Sequence, residues 1–590
     1  MRPAATFGRA VPVRPVVLGA IAALLLGTVP ASAAGGGVKT SQPSMLTPVG
    51  AGVTVTPLIT VGEPAGDDGY IFESIPDGIS ISTRGKGTVE VYVNHETSRV
   101  PFPYPLPPGT PTATNAQNDF DNAQMSRLIL NQKSAGVQTG KLVITSAQNY
   151  QRFCSNYLAT AAEGFDRELL FTNEETPDWV NRSGKAWPTT VGAPTAREGG
   201  VVVAYDPKTG KNRPIWGMGR HNHENAVPIP GFDDLVLLSG DDTFTNSPSQ
   251  SQLYSYIAPD ADAIWNDQGK LWAFVSDNED YQIYEDFEPG DSTSIEGHFI
   301  EVPPLIATGR KADGTELMAA DVPASLGGPF PAPPTSSAWQ RDPVTGVGVD
   351  GPQWVLEYWS QEHDVFDFVR VEDIAYDKRP GKSNIVYVVD SGRGFTPPPP
   401  PALPQPAFGP GLSTNGRVWK MVLDPADPKK VTSLSILIEG DDHAVKDPDE
   451  IHQPDNIEST VKGLYFTEDP GSSQQFPVTS TDPAATSARV WQYRFDTELA
   501  TVAAKVDQSL DEGSTDVDLA TTKGSLGAWE ATGIVDASAA FGPGAFLINV
   551  QAHTLWVDKR TGDDNFPPAG AEVTDKKEGG QLLLIRIPNG

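Results

Sequence analysis

Acidic side chains recur at matching places along this chain, and its single cysteine stands in their series. A short cassette occurs six times. An acidic or metal-competent residue opens an apolar run, a turn follows, a second apolar run ends in another acidic or polar residue, and a third run comes after it. The clearest copy reads EDIAYD from Glu372, then NIVYVVD to Asp390, then GRVWKMVLD. Others run from His223-Glu224 to Asp241-Asp242, from Asp455-Asn456 to Glu468-Asp469 and from Cys154 to Glu174-Glu175. Two weaker copies span Asp77 to Glu96 and Glu530 to Gln551. Carboxylates converging from equivalent strand ends make a metal site. Calcium takes six to eight oxygens, so a crowd of carboxylates suits it. A thiolate is a soft ligand, and Cys154 among carboxylates points to a transition metal such as iron or zinc. Arg370 lies two residues before Glu372, and strand alternation would put both on one face. An arginine beside a metal cluster binds a phosphate or carboxylate through two parallel hydrogen bonds. His221 and His223 form no zinc motif, and the chain contains no nucleophile elbow, P-loop or dinucleotide fingerprint.

Positioning such residues requires short strands. Strand-turn-strand units repeating at several tens of residues indicate a propeller or a solenoid. The cassettes open at Asp77, Cys154, Glu224, Glu372, Asp455 and Glu530, and most neighbours stand 70 (Cys154 to Glu224) to 83 (Glu372 to Asp455) residues apart. LVLLSG and NIVYVV are nearly continuous apolar runs, as expected of sheets buried on both faces. The expected fold is all-β, a six-bladed β-propeller over residues 34–590. The gap from Glu224 to Glu372 is twice as long as the others, which places an insertion at about 260–365 between the third and fourth blades. Proline-rich stretches at Pro101 to Pro111 and Pro397 to Pro401 each follow an acidic strand end and read either as ordinary surface loops or as walls of an axial mouth.

Residues 1–33 read as a signal peptide: arginines, the apolar run VVLGAIAALLLGTV, then Ala31-Ser32-Ala33. No later apolar run is long enough for a membrane anchor. The 590 residues include 57 glycines and 54 prolines, which suits many strands and turns. A net charge of −32 argues against nucleic acid or an anionic membrane as partner. One cysteine cannot form an internal disulfide.

Several motifs, in order along the mature chain, resemble the PhoX-type alkaline phosphatases. They are VNHE ending at Glu96, Cys154 followed by LLFTNEE, GRHNHE ending at Glu224, Arg370-Val371-Glu372-Asp373, Pro454-Asp455-Asn456, the TED strand end at Asp469 and NVQ ending at Gln551. The resemblance implies a secreted metal-dependent phosphatase that hydrolyses phosphate monoesters of small molecules, with iron and calcium on the propeller axis; a monomer is expected, although the sequence leaves oligomeric state open. It implies Cys154 and Glu224 as iron ligands, Glu372, Asp455 and Glu175 on calcium or bridging, and Arg370 as the catalytic, phosphate-binding residue. Two other readings remain open: a calcium-dependent esterase or lactonase on the same architecture, which needs no Cys154, and a non-catalytic calcium-stabilised binding propeller.

Overall fold

The computed structural model describes residues 36–590 apart from 67–68, 84–86, 98–121, 178, 182–195, 244–249, 335–349, 393–414, 441–448, 470–485, 509–528, 562–573 and 589. The leader segment and the two proline-rich stretches named above lie outside the described residues.

Strands β1 (Leu46–Pro48) and β2 (Thr54–Thr60) lead into an antiparallel meander of β3 (Pro76–Ser82), β4 (Thr88–His95), β5 (Gln124–Asn131) and β6 (Val137–Ile144). A second sheet follows from β7 (Phe153–Ala159) and β8 (Leu169–Glu174), a short ribbon of β9 (Trp179–Asn181) and β10 (Ala196–Glu198), then β11 (Val202–Asp206) and β12 (Lys211–Ile215). The turn from β11 to β12 shows how side chains punctuate the strands. Asp206 Oδ1 accepts from the backbone N–H of Lys208 (2.8 Å) and Thr209 (3.2 Å), and Gly210 takes the left-handed conformation at φ 68°.

The third meander is β13 (His223–Ile229), β14 (Leu235–Asp241), β15 (Leu253–Ala258) and β16 (Lys270–Ser276); β17 (Ile295–Glu301) follows it. The fourth is β18 (Val371–Tyr376), β19 (Ile385–Asp390), β20 (Arg417–Asp424) and β21 (Asp427–Glu439). A fifth sheet holds β22 (Pro454–Ser459), β23 (Gly463–Glu468), β24 (Arg489–Arg494) and β25 (Leu499–Val506), with β1 on its outer edge. The last holds β26 (Glu530–Asp536), β27 (Ala545–Thr561) and β28 (Thr574–Arg586), completed by β2 from the N-terminal end of the chain.

The arrangement is all-β and propeller-like. The first strands pack in a closed cycle, β3 on β7, β7 on β13, β13 on β18, β18 on β22, β22 on β26 and β26 on β3. Strands β14 and β19 are buried along their whole length, because each sheet has a neighbouring sheet on both faces. Six separate sheets were expected, and here the hydrogen bonding differs. Four sheets have blade size, and the third and fourth meanders fuse into one nine-stranded sheet. The cause is β17, which pairs with β16 along Trp272–Ser276 and with β21 at Ile295, Gly297 and His298. Within the 260–365 stretch, β16 is thus the fourth strand of a meander. The helix Pro352–Gln361 packs Trp354, Val355, Leu356 and Trp359 against Leu271, Ala273 and Val275 of that strand. Among the described residues no helix is long and apolar enough to cross a membrane.

Candidate metal centre

The same backbone defect opens all six first strands. Pairing with the second strand slips by one residue between Pro76 and Ile79, Phe153 and Asn156, His223 and Ala226, Val371 and Ile374, Pro454 and Ile457, and Thr532 and Val535. A β-bulge re-aims the side chain it carries. In five strands the bulge begins at the residue singled out by the cassette: Asp77, Cys154, Glu224, Glu372 or Asp455. The sixth differs from expectation. Glu530 pairs regularly with Gln551, and the slip comes after Thr532, so Gly533 takes the place assigned to Glu530. Packing at the bulges is close enough to demand glycine. A Cβ on Gly78 would lie 2.4 Å from the Asn156 nitrogen, and one on Gly533, at φ 52°, would lie 2.3 Å from the Asp77 carbonyl oxygen.

Two residues before the bulge residue, Ile75, Arg152, Arg370 and Gln453 all have φ between 43° and 60°. Their carbonyls accept, at 3.0 Å, from the backbone N–H of Glu96, Glu175, Ser391 and Asp469, the residues that end or follow the second strands. Asn222 accepts from Asp242 in the same way at 2.9 Å. Arg370 is therefore not in the strand with Glu372, and alternation is not what joins them. A left-handed residue ahead of β18 turns the guanidinium back, and its Nη2 lies 3.1 Å from Glu372 Oε1 and 2.8 Å from Asp242 Oδ2.

The acidic pairs at second-strand ends divide their labour. The first member is scaffold: Glu174, Asp241, Asp390 and Glu468 accept the backbone N–H of Gln151 (2.9 Å), Asn222 (3.2 Å), Val369 (3.0 Å) and His452 (2.7 Å). Arg197 pairs with Glu174, and Arg489 Nε and Nη2 each lie 2.7 Å from Glu468. In the first sheet His95 fills this place, its ring held by Ser74 O and Ser126 Oγ. The second member, Glu96, Glu175, Asp242 or Asp469, takes part in the axial electrostatics.

All five expected metal ligands meet at the axis. One oxygen or sulfur each from Cys154, Glu175 and Glu224 lie within 4.8 Å of one another, and the same holds for Glu224, Glu372 and Asp455. Glu224 joins the two groups. Every ligand is buried. Ser155 Oγ donates to Glu224 Oε1 (2.6 Å), Asn456 Nδ2 donates to Ser155 Oγ (2.8 Å), and Cys154 Sγ donates to Asp77 Oδ2 (3.0 Å). Glu224 Oε2 and Asp242 Oδ1 are buried with no hydrogen-bond partner among the described residues.

The electrostatics call for cations. Burial first, and repulsion by neighbouring acids second, push Glu175, Glu224, Glu372 and Asp455 well above the usual carboxylate range. Burial lifts Asp77 to about 6 and Glu96 to about 7. Burial and the same acids push the Cys154 thiol up, so a thiolate here requires a metal beside it. The donor set fits: a thiolate with two carboxylates suits a transition metal, and three carboxylates suit a hard cation. His221 and His223 take no part in either group; burial drives His223 down to about 3, and its ring is held by Ser239 Oγ and Gly219 O.

Sequence reasoning missed Asp242 as the second anchor of Arg370, and the scaffold role of the residue before each axial acid. The doubled acids at 174–175, 241–242 and 468–469 carried the signal.

No protein-family profile matches the chain, and no curated protein matches it. Among solved structures it is similar to Pseudomonas fluorescens PhoX in complex with vanadate, a transition state analogue, at 14% identity and a TM-score of 0.57, over 94% of this chain and 98% of that one. A puromycin hydrolase mutant complexed with PGG covers 81% of this chain and 59% of that one at 11% identity, with a TM-score of 0.23. Closed first-strand ring, bulged cassettes and coverage of almost the whole of both chains agree: this chain has a PhoX-like fold.

Proposed function

We propose that this chain is a secreted, metal-dependent phosphatase hydrolysing phosphate monoesters of small molecules at the axial cluster. The observation that carries the reading is two ligand groups sharing Glu224, with the Arg370 guanidinium against Glu372 at their edge. Cys154, Glu175 and Glu224 would hold iron; Glu224, Glu372 and Asp455 would hold calcium. Bound metal would supply positive charge for the phosphoryl oxygens and lower the pKa of a coordinated water. Arg370 binds the nonbridging phosphoryl oxygens through its planar fork, and Asp242 and Glu372 aim that fork. Ser155 and Asn456 keep Glu224 oriented, since both donate to its Oε1.

In this reading the nine-stranded sheet counts as two blades, which makes six with the other four sheets. Residues 1–33 are removed on export, the 260–365 segment carries an insertion beyond β16, and the mature chain acts as a monomer without membrane anchor or nucleic acid. The deciding experiment uses protein made through its own export route. Iron and calcium per chain are measured beside turnover of a phosphate monoester, for wild type and Cys154→Ala. The reading expects both metals and turnover in wild type, with iron and turnover lost together in the variant. Calcium without any transition metal, and no phosphate release, would sink it.

A further inference from the structure

On the phosphatase reading, the departing oxygen needs a proton, and the residues assigned so far do not supply it. Around the axis the described titratable groups are carboxylates, Cys154, Arg152, Arg370 and His553. Arginine keeps its proton at working pH, and the thiol and the ligand carboxylates are committed to metals. His553 is left.

Its placement suits the task. His553 lies in β27 two residues after Gln551, whose Nε2 donates to Asp77 Oδ2 (3.0 Å) and Glu96 Oε2 (3.2 Å) beside Cys154. Its side chain is 33% exposed, against 10% for Glu530 and 2% for Glu578, so the ring borders both the buried acids and solvent. Nδ1 is held by Glu578 Oε2 at 2.6 Å, and Nε2 lies 3.3 Å from Glu530 Oε1. Glu530 stands three residues before Gly533, which begins the bulge of its strand, one residue further back than Arg370 stands from Glu372. Thus one station of the ring presents a guanidinium and another presents an acid bonded to an imidazole. The charged groups facing His553 are Glu530 on β26, Glu578 on β28, Asp77 on β3 and Glu96 after β4, all acidic. Burial lowers its pKa, but Glu578 and Glu530 together outweigh burial and push it well above the ordinary histidine value, which keeps the ring protonated at neutral pH.

We infer that the His553 imidazolium, fixed through Nδ1 by Glu578 and aimed through Nε2 by Glu530, is the proton donor to the leaving-group oxygen. As the ester P–O bond breaks, its electron pair stays on the leaving oxygen, which takes the Nε2 proton and departs as an alcohol. A water oxygen forms the new P–O bond and loses its proton to solvent, and His553 regains a proton from solvent. General acids of this kind contribute about 10²–10⁴-fold, and least when the leaving group is itself acidic.

The test compares glycerol 2-phosphate, a poor leaving group, with p-nitrophenyl phosphate, a good one, on metal-loaded wild type and His553→Gln. The proposal expects kcat/KM to fall about 100-fold or more on the first ester and less than tenfold on the second. Equal losses on both esters overturn it and leave the phosphatase reading standing, whereas wild type inert on both overturns the two together. Should His553→Gln fail to fold, Glu578→Gln serves. Removing that carboxylate lowers the imidazolium pKa, so the basic limb of the glycerol 2-phosphate profile should move to lower pH, and an unmoved limb overturns the assignment.

Discussion

Adjacent carboxylates in this chain have opposite fates. Glu174 is fully buried, paired with Arg197 and bonded to the Gln151 N–H, whereas Glu175 turns to the axis beside Cys154 and Glu224. Glu174→Gln leaves a buried guanidinium without its counter-charge, which should cost roughly 3–5 kcal/mol in denaturant unfolding while the metal content of the folded fraction stays whole. Glu175→Gln should do the reverse, lowering metal content with a smaller change in the metal-free chain's stability. Finding the same phenotype for both would refute the division of roles. Arg370 supports a second prediction at this scale. Arg370→Ala should lower kcat/KM for a phosphate monoester at least tenfold with metal content unchanged; full activity would remove the clamp assignment. The acidic residue types were readable from the string of residues. Which member of a pair faces the axis was not, because Arg197 and Arg489 lie 23 and 21 residues away from the carboxylates they hold.

At the level of elements, the bulge decides which residues reach the centre. One extra residue in each first strand re-aims Asp77, Cys154, Glu224, Glu372 and Asp455, and the strand then resumes its alternation. The defect is held by contacts between neighbouring sheets: Asn94 Nδ2 donates to Cys154 O (2.6 Å), Asn225 Nδ2 to Asp373 Oδ1 (2.6 Å), and the Ile457 N–H to Asp373 Oδ2 (3.1 Å). Gly533 makes the sixth bulge possible, since it has φ 52° and the Asp77 carbonyl where a Cβ would go. Gly533→Ala should therefore destabilise the fold by at least about 1–3 kcal/mol, read as a lower denaturation midpoint. An unchanged midpoint would mean that the strand ends slide apart freely. The sixth cassette also marks where sequence patterning fell short. Glu530 matched the acidic type, yet the hydrogen-bond register counts from Gln551 on the partner strand and puts Gly533 in that place.

Over the whole molecule, the closed ring of first strands concentrates buried negative charge on one axis in a chain of net charge −32. Burial holds Asp77 at about 6, and Glu96 and Asp373 at about 7, against about 4 in an unfolded chain. Between those values the folded, metal-free chain binds more protons than the unfolded one. This contribution to stability is whole below about pH 4 and is lost as pH rises through 6 to 7. Cations take over from those protons when they bind. Chelated protein should accordingly lose melting temperature from pH 5 to 8, and metal-loaded protein should lose less; a flat profile for the chelated chain would contradict this account of the axis. The sequence by itself determined the all-β class, the repeated acidic cassettes and the residue types at the centre, because strand periodicity and ligand chemistry are local properties. Only the tertiary structure decided that β17 welds two meanders into one sheet, that Arg370 reaches Glu372 from a left-handed turn, and that His553 stands between Glu530 and Glu578. Each of these depends on pairing partners far apart in the chain, whose register is set by hydrogen bonds and packing that no local stretch encodes.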